Sequence, residues 1–235
     1  DINFWIKNRC GIPAVGYISD DNYSLRKISF NPLFWIDRLI MRRRLRKVFA
    51  ACDIVYTISE NQKEYLRQRF GDKFKVLTKY AEFDKSNKPA GFRPHAPLRM
   101  LYTGNLGSGR YSSLCLIAQA LRQVNAHEQR IVFDIYTSTV LSERLRSRLN
   151  TAETTLHDAV SFEKVLELQR RTDILVHVEG LSLKERLDVA HSFSTKIVDY
   201  LQQCKPIFVV GKDDCASIRY FIDNDSGIVA QNYDA

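Results

Sequence analysis

Short apolar runs alternate with amphipathic stretches along most of the chain. Between the runs, apolar side chains recur every three or four residues, as at Leu114, Ile117 and Leu121, which is the spacing of a helix packed on one face. Strands alternating with helices are typical of α/β proteins with parallel, doubly wound sheets. Strands are predicted at 14–18, 54–58, 75–78, 98–102, 131–136, 174–178, 207–210 and 227–230, with helices at 31–51, 59–71, 114–124, 142–149, 164–171, 191–205 and 216–222.

The alternation breaks once, between residues 79 and 97. Apolar periodicity disappears there, and Pro89, Gly91, Pro94 and Pro97 accumulate among charged residues. Such a composition indicates an interdomain connection. We therefore predict a domain at 1–85, a linker at 86–97 and a second domain at 98–235. The chain opens on Asp1 rather than Met, and we expect it to be a segment of something longer.

The segment HSFSTKIVDYLQQCKPIFVV, residues 191–210, combines a polar helix start, an amphipathic helix and a buried strand. Ser192, Ser194 and Thr195 are residue types that cap helices, and Lys196 follows them. Helix starts with a cation beside them bind anions. An ordinary αβ unit with a solvated helix start explains the same pattern.

A glycine-rich turn follows the strand at 98–102. It contains Gly104, Gly107 and Gly109, and Arg110 stands at the head of the next helix. Glycines let a backbone approach a ligand closely, and a loop that feeds a helix offers amides to a phosphate. A tight turn without a ligand explains this loop equally well. Arg110 here and Lys196 in the later segment would together supply charge on both sides of a diphosphate.

Charge and cysteines narrow the classes of partner. The chain has 35 Lys and Arg against 27 Asp and Glu, a net charge of +8, which suits nucleotide phosphates, lipid head groups or nucleic acid. No nucleic-acid-binding motif accompanies the charge, and no apolar run reaches the ~18 residues of a membrane span. The five cysteines are scattered and form no C-x-x-C pair, which favours reduced thiols in a cytoplasmic protein. They are Cys10, Cys52, Cys115, Cys204 and Cys215.

The predicted helix at 31–51 is both apolar and basic. Phe34, Trp35, Leu39 and Ile40 precede the run 42–47, which holds four arginines and a lysine. Such a helix can lie at the surface of an anionic membrane. It can equally pack on the sheet with one solvated basic side.

Five segments together resemble glycosyltransferase family 4, whose members are retaining enzymes with two Rossmann-like domains in the GT-B arrangement. They are IPAVGYISDD, ACDIVYTISENQKEYLRQRFG, LYTGNLGSGR, RRTDILVHVEG and FSTKIVDYLQQCKPIFVV. The resemblance covers most of the chain and is incomplete at both ends, so the amino-terminal domain lacks its first strands. It implies an acceptor-side domain at 1–85 and a nucleotide-sugar domain at 98–235.

The resemblance also implies roles for individual residues at the donor. Arg110 takes the place of the family's loop lysine on the diphosphate, and Asn105 stands where the family has an arginine. Asp199 takes the place of the second motif glutamate, which binds the ribose hydroxyls. The implied contacts to the diphosphate are Gly104, Asn105, Leu106, Arg110, Ser194, Thr195 and Lys196.

Three residues are implied on the catalytic side. His191 stands where the family has its first motif glutamate, and Asp20 and Asp21 follow a strand at the edge that faces the acceptor. A surface histidine and a polar turn explain these positions equally well. The spacing Asp223–Asn224–Asp225 is that of a metal-binding D-x-D, but these residue types are common at a helix end, and we expect neither a metal nor a cofactor.

The resulting hypothesis is transfer of a sugar from a nucleotide-diphosphate donor to a saccharide or lipid-linked acceptor, in bacterial surface polysaccharide synthesis. We expect a cytoplasmic protein that contacts the inner face of the plasma membrane through residues 42–47, and an inactive chain when residues 1–235 stand alone. A noncatalytic nucleotide-sugar-binding subunit is one alternative. A nucleic-acid-binding protein is another, suggested by charge alone.

Overall fold

The computed structural model describes residues 2–19, 27–79 and 95–231. The chain divides into two compact units, Asp1–Tyr80 with Leu187–Ser194, and Ala81–Arg186 with Thr195–Ala235. Most of the predicted linker, 86–94, lies outside the described residues. The short stretch Leu187–Ser194, which we predicted within the second domain, groups with the first unit instead.

The first unit is a parallel sheet with helices. Its strands stand in the order β1-β2-β3, with Tyr17 opposite Tyr56 and Tyr56 opposite Lys75. Its elements are α1 Ile2–Cys10, β1 Val15–Ile18, α2 Pro32–Ala51, β2 Ile54–Thr57, α3 Glu60–Phe70 and β3 Phe74–Val76. Their order confirms the prediction for this region, apart from α1, which carries no clear helical periodicity.

Local capping explains where α2 and α3 begin. The Asn31 side chain accepts a hydrogen bond from the amide of Leu33, and Pro32 occupies the first helical position, where it loses no hydrogen bond. Ser59 caps α3 by accepting from the amide of Gln62. In a capping box the Gln62 side chain would accept from the amide of Ser59, but here it accepts from the amide of Ile58, one residue earlier.

The second unit is a six-stranded parallel sheet. Its strands stand in the order β6-β5-β4-β7-β8-β9. The elements are β4 Leu98–Thr103, α4 Arg110–Val124, β5 Ile131–Thr137, α5 Glu143–Leu149, β6 Thr154–Asp158, α6 Phe162–Arg171, β7 Ile174–Val178, α7 Leu183–Val189, α8 Lys196–Gln202, β8 Ile207–Val210, α9 Ala216–Asp223 and β9 Ile228–Ala230; the residues of α7 from Leu187 onward group with the first unit. The α/β class with two parallel sheets is confirmed.

The predicted apolar stripe of α4 covers the centre of this sheet. Leu114, Ile117 and Leu121 are buried and belong to one core cluster with Phe133 and Val176. Burying side chains of this size contributes about 1.5–3 kcal/mol each, which fixes α4 against the sheet. The helix start, and with it Arg110, is therefore held at the carboxyl edge of β4.

The strand order creates a switch point between β4 and β7. The chain passes from β4 to β5 on one side, whereas β7 adds to the other side of β4. In open parallel sheets, the crevice at such a point lies outside the carboxyl ends of the strands and is where ligands bind. The loops after β4 and β7 meet there.

Candidate functional site

The turn after β4 has a backbone that favours glycine. Gly104 has φ +148°, and its amide donates to the carbonyl of Tyr136 at 3.0 Å. A Cβ at Gly104 would lie 3.3 Å from Lys196 Nζ and 3.3 Å from Tyr102 Oη. The close approach of Lys196 to this backbone therefore requires a residue without a side chain.

Most amides of the turn already have acceptors. Leu106 N donates to Thr139 Oγ1 at 2.9 Å, and Gly107 N donates to Asn105 Oδ1 at 3.2 Å. The first amides of α4, those of Arg110 and Tyr111, donate to the carbonyls of Gly107 and Leu106. The prediction that this helix start offers unbonded amides is wrong for these groups, because the tight turn brings carbonyls within reach. Charge at this site comes from side chains.

Arg110 is held by two loops. Its Nη1 donates to Asn105 Oδ1 at 2.9 Å, within the glycine turn. Its Nε donates to Glu179 Oε2 at 3.0 Å, after the end of β7, and its Nη2 lies 2.9 Å from the same oxygen in an ion pair. A guanidinium has five N–H bonds, so N–H bonds remain for a ligand. Arg110 thus spans the switch point, as its predicted role requires.

Lys196 approaches the same turn from α8. Its Nζ lies 4.1 Å from the centroid of the Tyr102 ring and 3.5 Å from the carbonyl of Thr103, which are weak interactions for an ammonium group. Burial, together with the charge of Arg110, lowers the pKa of Lys196 to about 7, and Glu179 opposes this shift. Near neutral pH, Lys196 is therefore poised to take up a proton when an anion binds.

The predicted cap of α8 is not formed by Thr195. This residue stands at the N-cap position with helical dihedrals, φ −63° and ψ −22°, and its side chain makes no capping hydrogen bond. A capping side chain normally sits on extended backbone, which positions its oxygen above the first amides. Ser194, just before it, is half-buried, as is Asp199 within α8. The predicted ligand roles of all three remain predictions.

The catalytic predictions fall on the first unit. His191 is buried there, its ring 4.4 Å from the ring of Tyr65, and its carbonyl accepts from Ser59 Oγ at 3.3 Å. It is therefore not the surface residue that the alternative interpretation expected. Asp20 and Asp21 lie outside the described residues.

Glu179 and His177 escaped the sequence analysis because both stand in an apolar strand segment. Glu179 is buried, and its Oε1 accepts from Ser217 Oγ at 3.1 Å. His177 is fully buried, and burial lowers its pKa well below the ordinary value, assisted by the charges of Lys196 and Arg110. The signal that could have indicated Glu179 is the presence of a glutamate directly after a buried strand.

Within the described residues, no group of three or more His, Cys, Asp or Glu side chains is placed to hold a metal ion. Asp223 ends α9, and Asp225 has φ +46°, as in a turn at a helix end. The five cysteines, all within the described ranges, are thiols rather than disulfides.

Comparison with known proteins gives structural neighbours only. No family model matches the chain, and no curated protein is detectably similar. Among solved structures, the GtfA/B complex is 14% identical with a TM-score of 0.66, over 100% of this chain and 44% of that one. A mutant of TarM from S. aureus, in complex with Fondaparinux, α-GlcNAc-glycerol and UDP, is 13% identical with a TM-score of 0.64, over 96% and 42%. WaaG, a glycosyltransferase involved in lipopolysaccharide biosynthesis, is 14% identical with a TM-score of 0.53, over 97% and 66%.

The chain therefore spans less than two thirds of the length of each of these proteins. At such identities the likeness establishes the fold and not the activity. Together with the two parallel sheets, it shows that this chain has the GT-B fold of glycosyltransferases.

Proposed function

We propose that the second unit binds a nucleotide-diphosphate sugar and that the protein transfers the sugar to a saccharide or lipid-linked acceptor. The observation that carries this proposal is the approach of Arg110 and Lys196 to neighbouring residues of one glycine turn. Arg110 bonds Asn105, and Lys196 lies against Gly104. Two cations at the switch point of a parallel sheet suit a diphosphate.

The charges also suit the chemistry. Breaking the bond between sugar and diphosphate builds negative charge on the leaving oxygen, and preorganised cations stabilise that charge. Arg110 is held in place before the ligand arrives, whereas Lys196, with a pKa of about 7, adds its charge as the anion binds. Retention of anomeric configuration is the outcome that the family 4 resemblance implies.

The remaining predicted residues enter the proposal with narrower roles. Gly104, Asn105 and Leu106 shape the turn, and Asp199 accepts from the ribose hydroxyls. Ser194 and Thr195 lie beside Lys196 in the chain and bond the diphosphate through their hydroxyls. We assign His191, Asp20 and Asp21 to the acceptor side.

The neighbours support the same class of reaction. The TarM complex contains UDP, and WaaG acts in lipopolysaccharide biosynthesis. By analogy, we propose a role in bacterial surface polysaccharide synthesis, in the cytoplasm. The main alternative is a noncatalytic nucleotide-sugar-binding subunit, for which donor binding without turnover would be the evidence.

We also propose contact with the inner face of the plasma membrane through α2. No helix among the described residues combines the length and apolar character needed to cross a bilayer. The outer face of α2 is nevertheless apolar in its first half, where Leu33 is 69% and Ile36 53% exposed. In its second half the exposed side chains are basic, namely Arg43, Arg44, Arg46 and Lys47. A lipid surface with anionic head groups complements both halves.

A thermal-shift screen tests donor binding directly. We expect one of UDP-glucose, GDP-mannose and ADP-glucose to raise the melting temperature of the chain, since a ligand present at 100 times its Kd adds about 2.7 kcal/mol of stability. Glucose 1-phosphate, which has the sugar but no diphosphate, is the matched control. Absence of a shift with all three donors would contradict the proposal.

A further inference from the structure

Glu179 lies between the two loops that meet at the candidate site. Its amide donates to the carbonyl of Val210, which continues the sheet beyond β7, and its carbonyl accepts from Ser113 Oγ of α4 at 2.6 Å. The next residue, Gly180, is so close to the glycine turn that a Cβ there would lie 2.4 Å from the carbonyl oxygen of Ser108. The backbone of Glu179 is thus fixed on both sides.

The carboxylate is equally constrained. It is 2% exposed, and one oxygen accepts from Nε of Arg110 and lies 2.9 Å from Nη2 in the same ion pair. The other oxygen accepts from Ser217 Oγ at 3.1 Å and lies 3.6 Å from His177 Nε2, too far for a strong hydrogen bond. Since the low pKa of His177 keeps its ring neutral, Arg110 is the cation that Glu179 bonds directly.

This arrangement fixes the direction of the guanidinium. Glu179 holds one edge of the guanidinium through the Nε hydrogen bond and the ion pair at Nη2, and Asn105 of the turn holds Nη1. The remaining N–H bonds of Arg110 are therefore directed by a rigid frame rather than by a free side chain. Glu179 also contributes the negative charge that opposes the repulsion between Arg110 and Lys196.

We propose that Glu179 is the positioning residue of the donor site: it orients Arg110 toward the diphosphate through a buried ion pair. The inference rests on the proposed function and adds a residue that neither the sequence pattern nor the resemblance singled out. Glu179 acts through Arg110 and does not itself contact the donor.

A double-mutant cycle separates this role from a structural one. The probe is the donor that binds best among UDP-glucose, GDP-mannose and ADP-glucose. In the wild-type background, Glu179→Gln is expected to raise the Kd of this donor about tenfold, as for loss of a charge-assisted hydrogen bond. In an Arg110→Ala background, the same change is expected to raise it less than about twofold, because its partner is gone. Equal effects in both backgrounds would overturn the proposal.

Glu185→Gln is the matched control. Glu185 lies near the start of α4, where a Cβ at Gly109 would meet its carboxylate, but it accepts from the amide of Ser182 rather than from Arg110. Its substitution should leave the Kd within about twofold of wild type. An effect as large as that of Glu179→Gln would show that any local carboxylate matters and would reject a specific role.

The pH profile gives a readout that a structural role would not move. Lys196 is charged below its pKa, so donor affinity should be highest below about pH 7 and fall above it. The groups that act on Lys196 are Arg110 and Glu179, and Glu179 raises the pKa. Glu179→Gln should therefore shift the fall in affinity to lower pH. A nucleotide sugar suits this measurement because it has no terminal phosphate monoester with a pKa near 6.

The outcomes distinguish the two proposals. If wild type binds a donor and Lys196→Met weakens binding while Glu179→Gln leaves both the Kd and the pH profile unchanged, the donor site stands and the role of Glu179 is rejected. If wild type binds none of the three donors, the proposed function fails and this inference fails with it. Melting temperatures of each variant, measured without ligand, verify that the compared proteins are folded.

Discussion

Lys196 and Arg110 are both cationic side chains, but their surroundings in the structure differ. Arg110 is paired with a buried carboxylate and keeps its charge, whereas the contacts of Lys196 within the described part of the chain are with the ring of Tyr102 and the carbonyl of Thr103. A buried ammonium without a carboxylate partner is costly, and its pKa falls. An arriving diphosphate supplies the missing partner, so binding and protonation of Lys196 should be coupled.

Gly104 provides a test of the turn itself. Alanine there would have to adopt φ +148° and meet Lys196 Nζ and Tyr102 Oη at 3.3 Å. Because only glycine adopts this backbone without strain, Gly104→Ala should destabilise the protein by about 1–3 kcal/mol. The free energy of unfolding, measured by urea denaturation, reports the change.

Gly107→Ala is the control in the same turn. Its Cβ would meet Asn105 Oδ1 at 3.5 Å, an ordinary contact, and Gly107 is not among the glycines with positive φ. It should cost no more than about 0.5 kcal/mol. Equal losses for the two variants would mean that the backbone at Gly104 is not specially constrained.

At single positions, the sequence was a better guide to which side chains supply charge than to which partners those side chains bond. Arg110 and Lys196 were identified as the cations of the site, and the structure brings both to the glycine turn. Their environment was not predictable, because Glu179 is 69 residues from Arg110 along the chain and meets it only through the strand order. The backbone at Cys204 was not predictable either: Cys204 has φ +51°, a conformation that favours glycine.

Among the helices and strands, the elements with strong periodicity were predicted well. The buried strands β4, β5, β7 and β8 and the amphipathic α4 all form where expected. Besides α1, two elements were missed, β6 and α7, and both are polar. β6 reads TTLHD at the edge of the sheet, and α7 reads LKERLDV, so neither carries the apolar run by which strands and helices are recognised.

The outer face of α2 predicts binding to anionic lipid. Co-sedimentation with vesicles of phosphatidylcholine and phosphatidylserine should retain the chain, whereas pure phosphatidylcholine should not. Since each basic group contributes about 1 kcal/mol near an anionic surface, the triple change Arg43→Gln, Arg44→Gln and Lys47→Gln should weaken binding about a hundredfold.

A triple change elsewhere controls for net charge. Arg122, Arg130 and Arg144 are exposed in the second unit, and their replacement by Gln removes the same charge. If both triple variants lose binding equally, attraction is due to overall charge and α2 is not the contact.

For the whole chain, the order of elements was more informative than any motif. Neither the glycine-rich turn nor the polar helix start is specific by itself, yet the alternation of strands and helices along the chain indicated two parallel sheets. The structural neighbours share that fold at 14% identity or less. The fold was therefore accessible from the sequence, and the donor's base, sugar and acceptor were not.

The central claim is that Lys196 helps to bind the diphosphate of a sugar donor. Its most direct test is the Kd of the best-binding of the three donors, measured by calorimetry at pH 6.5, below the pKa of about 7 of Lys196. Lys196→Met should raise this Kd at least about tenfold. Arg122→Met, which removes one charge from the last turn of α4, at the far end of that helix from Arg110, should change it less than about twofold. Unchanged affinity in Lys196→Met, or equal losses in the two variants, would contradict the account.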